Sequence, residues 1–346
     1  MIPCMPPIPV RPSSLTTPSS GGCTTAHFGD IDEQAAALQG WNQRYLQLSR
    51  GAFDGSVRRL QLDGVGLFIE DLHQSVYQAG WIRREVFAIG VPLLVEGDAQ
   101  FCGHRATQQS LHVFSGDNGF EFRSPQRHVM IGIEIDRALY EAHLGATANG
   151  AGNEPHLASA GLLQPDADAI DKLRSLLTGL FQIMSLPHDR SSLVHSLTHS
   201  APLRRQARTQ LIDHVVAAMA LQDAGVSVGN ARATAAQTAL VNKVSEMVSN
   251  RLNEAPSIGE ICKTMGVSRR TLQNAFQATW GMGPLTWLTT MRLNAVRRRL
   301  KSVTQVTEAA TEFGFWHFGH FASHYQALFG ECPSKTLQRH RQDSVH

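Results

Sequence analysis

The sequence predicts an α+β chain of two domains. A β-rich amino-terminal domain ends in a pair of helices, and an all-α domain with two tandem helix-turn-helix units follows. Three observations carry this expectation. Apolar residues come in short β-branched and aromatic runs from about 51 to 135, then at three- and four-residue spacing beyond 166. An apolar helix face, a glycine turn and a second helix occur twice near the carboxy terminus, the copies about 48 positions apart. Charge is also unevenly spread. Residues 241–346 hold 13 Lys and Arg against 7 Asp and Glu, a net of +6, and residues 1–240 hold 18 against 22, a net of −4.

The first 25 residues are rich in Pro, Ser and Thr and lack a basic stretch followed by an apolar one, so no secretory signal is expected. Residues 1–26 read as a disordered tail. Residues 27–50 look helical, because Leu38, Trp41, Tyr45 and Leu48 recur at three- and four-residue spacing. Strands are expected at Val57–Leu62, Val65–Ile69, Val76–Trp81, Val86–Ile89, Leu93–Val95, His112–Phe114 and His128–Ile135. Asp63-Gly64, Gly97-Asp98 and Gly116-Asp117-Asn118-Gly119 punctuate them, the texture of a small sandwich or barrel. Residues 136–165 read as an irregular connection. Helices are expected at about 166–186 and 202–222, with Leu173, Leu177 and Phe181 on one apolar face and Leu211, Val215 and Met219 on the other. The first domain thus covers 27–222. The stretch from Gly225 to Ala236 is small in composition and places a linker at 223–238.

The second domain, 239–342, reads as all helix. Leu240–Leu252 opens it, and Pro256-Ser257 breaks and caps the chain before the next helix. In the first unit Ile258, Ile261, Cys262 and Met265 share a helix face, and Gly266-Val267-Ser268 makes the turn. On the helix that follows, Leu272, Ala275 and Phe276 point inward. Arg270, Gln273, Asn274 and Gln277 fall on the opposite face. Arg can bond guanine bidentately and Gln or Asn can bond adenine, and Arg269 is better placed for a phosphate. In the second unit Val306, Ala309, Ala310 and Phe313 repeat the spacing, Gly314 breaks the helix, and Phe321 and Tyr325 answer Leu272 and Phe276. Its outward positions, Gly319, Ala322, Ser323 and Gln326, are mostly small. His317, His320 and His324 can reach phosphates or bases, or can serve packing and capping. Trp316 is expected in the core. A long helix from Pro284 to Leu300 should join the units and present them to one side of double-stranded DNA, about one helical turn, near 34 Å, apart. Arg297, Arg298 and Arg299 suit the negative end of that helix's dipole, with contact to a DNA backbone as the other use.

Other classes find little support. No run of about 18 apolar residues occurs, so no membrane partner is expected. The five cysteines are scattered, without a CxxC, which favours a reducing cytoplasm over a disulfide framework. Cys262 reads as a small core residue. His104 and His112 do not form a close His-x-His. His195 and His199 are at i, i+4 but lack the HExxH context, so no metal is expected. Gly64-Val65-Gly66 is a turn between strands, and no Walker A loop, GxSxG or convincing triad is present, so the chain reads as no enzyme. Trp81, Phe87, Phe101 and Phe114 could line a pocket, although aromatic strand residues more often fill cores.

Residues 240–340 resemble the AraC/XylS family of bacterial transcription activators, as far as Phe329-Gly330-Glu331-Cys332-Pro333-Ser334. The stretches 267–276, 292–298 and 314–317 are similar to the ethanolamine-operon regulator type, as are 41–45 and 51–55 more loosely. The resemblance implies a cupin-like sensory or dimerisation domain before the DNA-binding domain, with two helices able to pair between monomers. It places base reading on Arg270, Gln273 and Asn274. It also implies a homodimer, contact with RNA polymerase, and a small-molecule effector such as ethanolamine with adenosylcobalamin. The alternative is a ligand-binding or interaction protein whose DNA-binding module has weak or lost specificity, a reading supported by the short side chains at 319, 322 and 323.

Overall fold

A computed structural model describes residues 23–147, 160–184, 200–220 and 234–343. These fall into two compact units, residues 23–45 with 54–220 and residues 46–53 with 234–343.

The first unit opens with β1 (Cys23–Phe28), a short α1 (Ile31–Ala37) and β2 (Trp41–Gln47). The helix expected over 27–50 is thus largely strand. Asp30 caps α1 by accepting from the N–H groups of Asp32 and Glu33, and Gly40, at φ +88°, turns the chain into β2. Trp41 and Tyr45 lie four apart. That spacing satisfies a helix, but it is also an even number, so it satisfies one face of a strand equally. Residues 23–26 of the expected tail belong to β1, which pairs antiparallel with β3, and residues 1–22 lie outside the described residues.

The remaining strands are β3 (Gly55–Leu62), β4 (Val65–Leu72), β5 (Val76–Ile82), β6 (Val86–Glu96), β7 (Ala99–Phe101), β8 (His104–Ala106), β9 (Leu111–Phe114), β10 (Phe120–Arg123) and β11 (Arg127–Asp136). The two runs expected at 86–89 and 93–95 are one strand, β6. The irregular connection expected at 136–165 instead contains α2 (Arg137–Thr147) and β12 (Gly161–Leu163), which extends the sheet beyond β9. Two helices follow, α3 (Ala167–Met184) and α4 (Ala201–Ala220).

A seven-stranded sheet runs β1-β3-β4-β11-β6-β9-β12 and a five-stranded sheet runs β2-β5-β10-β7-β8. Strand alternation sorts the side chains of the larger sheet. Ile131, Ile133 and Ile135 of β11, with Val65, Leu67, Ile89 and Val113, pack under Leu173, Leu177 and Phe181 of α3 and Leu211, Val215 and Met219 of α4. The apolar faces of both helices are therefore spent within the chain's own core. The intervening positions, Phe68, Glu70, His112, Phe114, His128 and Met130, face the smaller sheet. Trp41 meets Phe68, Phe114 and Phe120 edge-on there, at centroid distances of 5.6, 4.6 and 5.6 Å. Gly132 of β11 is required at its place, because a β-carbon would come within 2.1 Å of the Phe68 ring. The buried Glu70 carboxylate accepts from Tyr45 Oη at 2.7 Å and from the amides of Gln34 and Gln78 at 3.1 Å each. Burial raises its pKa despite these donors. Phe87 stacks on Tyr140 on the helix-covered side, whereas Phe101 and Phe114 lie between the sheets, so the four aromatics considered for a pocket do not converge.

The second unit contains α5 (Ala235–Ser249), a 3-10 turn (Leu252–Glu254), α6 (Ile258–Met265), α7 (Arg269–Trp280), α8 (Pro284–Arg299), α9 (Val306–Glu312), α10 (Phe318–Phe329) and α11 (Pro333–Asp343). Residues 234–238 of the expected linker form the capped start of α5, where Thr234 and Gln237 make a capping box. Residues 221–233 lie outside the described residues.

Segment 46–53 docks on these helices, which no sequence pattern announced. Asn294 of α8 accepts from the Gln47 N–H and donates to the Gln47 carbonyl, both at 3.0 Å. The Gln47 amide donates to the Leu328 carbonyl at 2.7 Å, and the Gly51 N–H donates to the same oxygen at 3.1 Å. Gly330 caps α10 at φ +69°, and a β-carbon there would stand 2.4 Å from the Ala52 nitrogen, so both backbone conformation and space demand glycine.

Candidate nucleic-acid interface

The first helix-turn-helix is α6 and α7. Ser257 and Glu260 form a capping box that starts α6, Gly266 ends it in the left-handed region at φ +65°, and Ser268 caps α7 by accepting from the Thr271 N–H. Leu272, Ala275 and Phe276 are fully buried, and Phe276 meets Trp287 of α8 at 5.2 Å. Arg269, Arg270, Gln273, Asn274 and Gln277 are all exposed on the other side, as their spacing predicts. Two of them are engaged within the unit. Gln277 donates to the Gly281 carbonyl at 3.0 Å, and the Gln273 amide lies close over Gly283, where a β-carbon would approach it to 2.9 Å. Arg269, Arg270 and Asn274 stand outward at the start and middle of the helix. Cys262 is half-buried rather than enclosed.

The second unit, α9 and α10, is built differently. Its recognition helix has 12 residues, like α7, and both end at a left-handed glycine, Gly281 and Gly330. Aligned from their caps, Arg269 corresponds to Phe318, Arg270 to Gly319, Gln273 to Ala322 and Asn274 to Ser323. His317, Gly319, His320, Ser323 and His324 are exposed. Ser323 Oγ is occupied by the Gly319 carbonyl at 3.0 Å. His317 occupies the cap position of α10 without making a side-chain cap bond.

Trp316 is not in the core: it is 71% exposed. One extra residue separates Gly314 from α10, and Phe315 takes the inward place, 5.2 Å from Phe321. Arg292 of α8 braces this turn, donating from Nε to the Phe313 carbonyl at 2.6 Å and lying 4.6 Å over the Phe315 ring.

The arginines at the end of α8 also differ from expectation. Arg297 is buried and donates to Glu331 at 3.0 Å, while Glu331 also holds Thr336 at 2.8 Å and Arg339. Arg299 pairs with Glu312 at 2.6 Å and Glu308 at 3.4 Å. These two side chains tie the linking helix to the second unit. Among the described residues no three His, Cys, Asp or Glu side chains form a group that could hold a metal, and no helix is long and apolar enough to cross a membrane. His195 and His199 lie outside the described residues.

A helix-turn-helix domain family model matches residues 261–339. The XylDLEGF operon transcriptional activator 3 of Pseudomonas putida is 32% identical over 103 residues, 29% of this chain and 31% of that protein. The match thus spans about a third of that relative's length. A probable AraC family transcriptional regulator from Rhodopseudomonas palustris is 34% identical, over 30% of this chain and 97% of the solved chain, with a TM-score of 0.28. The AraC-like transcriptional activator CuxR is 14% identical over 83% of this chain and all of its own, with a TM-score of 0.38. The two helix-turn-helix units on one linking helix, with these sequence matches, place the carboxy-terminal domain of this chain in the AraC/XylS family of DNA-binding transcription regulators.

Proposed function

We propose that the whole chain is a sequence-specific transcription regulator whose two helix-turn-helix units enter adjacent major grooves and whose amino-terminal domain answers a small metabolite. The observation that supports this most is the division of α7. Its apolar residues Leu272, Ala275 and Phe276 are fully buried, and among the described residues Arg269, Arg270 and Asn274 stand exposed with no tertiary role that would account for them. Arg270 reads guanine bidentately, Asn274 with Gln273 reads adenine, and Arg269 neutralises a phosphate. The net charge of +6 over 241–346 suits a module that must displace counterions from DNA.

The test is capture of genomic fragments by the full-length protein beside Arg270→Ala. A small set of sites should be enriched by the wild type, with the substitution costing about 1–3 kcal/mol at those sites. Equal, sequence-independent binding by both proteins would overturn the reading and favour a binding module with lost specificity. A homodimer, contact with RNA polymerase and an activating role belong to the same proposal. Effector action requires differential affinity for the DNA-competent state. Ethanolamine and adenosylcobalamin, suggested by the sequence resemblance, are the first compounds to try as ligands that raise the unfolding temperature.

A further inference from the structure

At the two positions that match Arg269 and Arg270, the second recognition helix presents Phe318 and Gly319, carbon where the first presents nitrogen. Trp316 is 71% exposed and Phe318 43%, and they stand two residues apart at the entrance to α10. This is not a loose loop, since the Arg292 guanidinium stacks on Phe315 and Arg292 Nε holds the Phe313 carbonyl directly beneath it. Two large aromatic side chains left in water beside each other form an exposed apolar patch, which marks a contact surface where a single exposed apolar residue does not. Further along the helix, Ala322 is half-buried and the Ser323 hydroxyl is turned back onto its own backbone, so neither offers a long hydrogen-bonding arm.

Gly319 adds an independent observation. Its φ is not in the left-handed region, and a β-carbon there would meet nothing within 4 Å. The fold gives no reason for glycine at an exposed helical position, where it is less favourable than alanine. A bare backbone directly after Phe318 lets the helix approach a surface more closely than a side chain there would allow.

Resting on the regulator reading above, we propose that the second unit reads thymine through apolar contact, with Phe318 and Trp316 packing on C5-methyl groups in the major groove. Gly319 lets the helix sit deep enough for that contact. His317 and His320, exposed beside the aromatic pair, supply the polar flank toward the phosphates. The chain then reads its two half-elements by different chemistry. Guanine and adenine edges are recognised by hydrogen bonds through α7, and thymine methyls by burial through α10.

The experiment uses duplexes selected from a random pool by the full-length protein, with deoxyuridine then replacing thymidine position by position. Each replacement removes one methyl and leaves base pairing intact. In the half-element opposite α10, wild-type affinity should fall about fourfold per contacted methyl, the effect of withdrawing one buried carbon. Trp316→Ala with Phe318→Ala should bind more weakly and become indifferent to the replacement. Gly319→Leu should weaken the same half-element alone. If the wild type is indifferent to deoxyuridine while Arg270→Ala still loses specific binding, the thymine reading is wrong and the regulator reading stands. If no duplex is enriched, both fall. The same outcome as the first, with Trp316→Ala defective only in transcription, would assign the aromatic pair to a protein partner and likewise overturn the inference.

Discussion

Acid should weaken the two-sheet core through His112 and His128. Both imidazoles are fully buried, and among the described residues neither ring nitrogen of either one has a hydrogen-bond partner. Phe101 lies 4.7 Å from the His112 ring, and Phe122 lies 5.1 Å from His112 and 4.9 Å from His128. Burial pushes each pKa down from 6.5 to about 3, and the neighbouring His128 adds to the effect on His112. The folded state therefore holds both rings neutral, while the unfolded chain protonates them below about pH 6.5. Between these values the unfolded chain binds more protons, so stability is lost as the pH is lowered through this window. At pH 5, 1.5 units under the unfolded value, each histidine costs about 2 kcal/mol and the pair about 4 kcal/mol. That is a large share of a typical total of about 5–15 kcal/mol. Glu70 and Glu134 act oppositely, since burial raises their pKa values and acidification relieves the cost of holding them charged. Comparing wild type with His112→Leu and His128→Leu isolates the imidazoles. The assay is urea unfolding at pH 7.5 and pH 5, read by hydrogen exchange of the β9 and β11 amides. Each variant should lose about 2 kcal/mol less than the wild type on acidification. Identical losses in all three proteins would show that the rings charge in place, and the argument from burial would fail.

Two further substitutions probe the helical unit. Asn294→Ala leaves the Gln47 N–H and carbonyl without partners in a buried place. At roughly 1–3 kcal/mol per stranded group it should lower stability by about 2–6 kcal/mol and speed exchange at the Gln47 and Gly51 amides. Unchanged exchange there would mean that segment 46–53 is not held by this residue. Arg297→Met breaks a buried ion pair, but Glu331 keeps Arg339 and Thr336, so the loss should fall at the low end for such pairs, about 3 kcal/mol. Adding Glu331→Leu should recover much of it in urea unfolding, and a double variant weaker than the single would contradict this account.

The first helix-turn-helix was legible because its apolar spacing, glycine turn and polar face all obey one period, and Leu272, Ala275 and Phe276 are buried where that period puts them. Trp316 was misread because residue type argued for burial while position decided otherwise. The turn after Gly314 carries one more residue than the turn after Gly266, and Phe315 fills the interior first. The strand β2 was misread because its aromatic spacing fits two periods at once. The roles of Arg297 and Arg299 were hidden for a different reason. A helix terminus explains arginines locally, whereas the carboxylate that holds Arg297 comes from Glu331, 34 positions later. The docking of segment 46–53 has still less local trace, since Asn294 lies 247 positions from the Gln47 it clasps. Pairing between distant polar groups leaves no period to read.

The linking helix α8 shows why these distant pairs matter to the interface. A helix buried on most sides is ordinarily apolar all round. In α8, Trp287, Leu293 and Val296 are buried beside Thr290, Asn294 and Arg297, which are buried as well. Its side chains reach three different neighbours. Trp287 meets Phe276 and Trp280 of the first unit, Arg292 and Arg297 hold the second, and Asn294 holds segment 46–53. These contacts fix the helix along its length, so its 16 residues, spanning about 24 Å, act as a strut between the two recognition helices. A strut sets the separation of the half-elements in the protein rather than in the DNA. On the proposed function, contacts by the two recognition helices reinforce each other only on a duplex that presents both half-elements at the matching spacing. A second helix with weak individual contacts can therefore still contribute to selectivity, because the linkage turns its modest preference into a condition on the whole site.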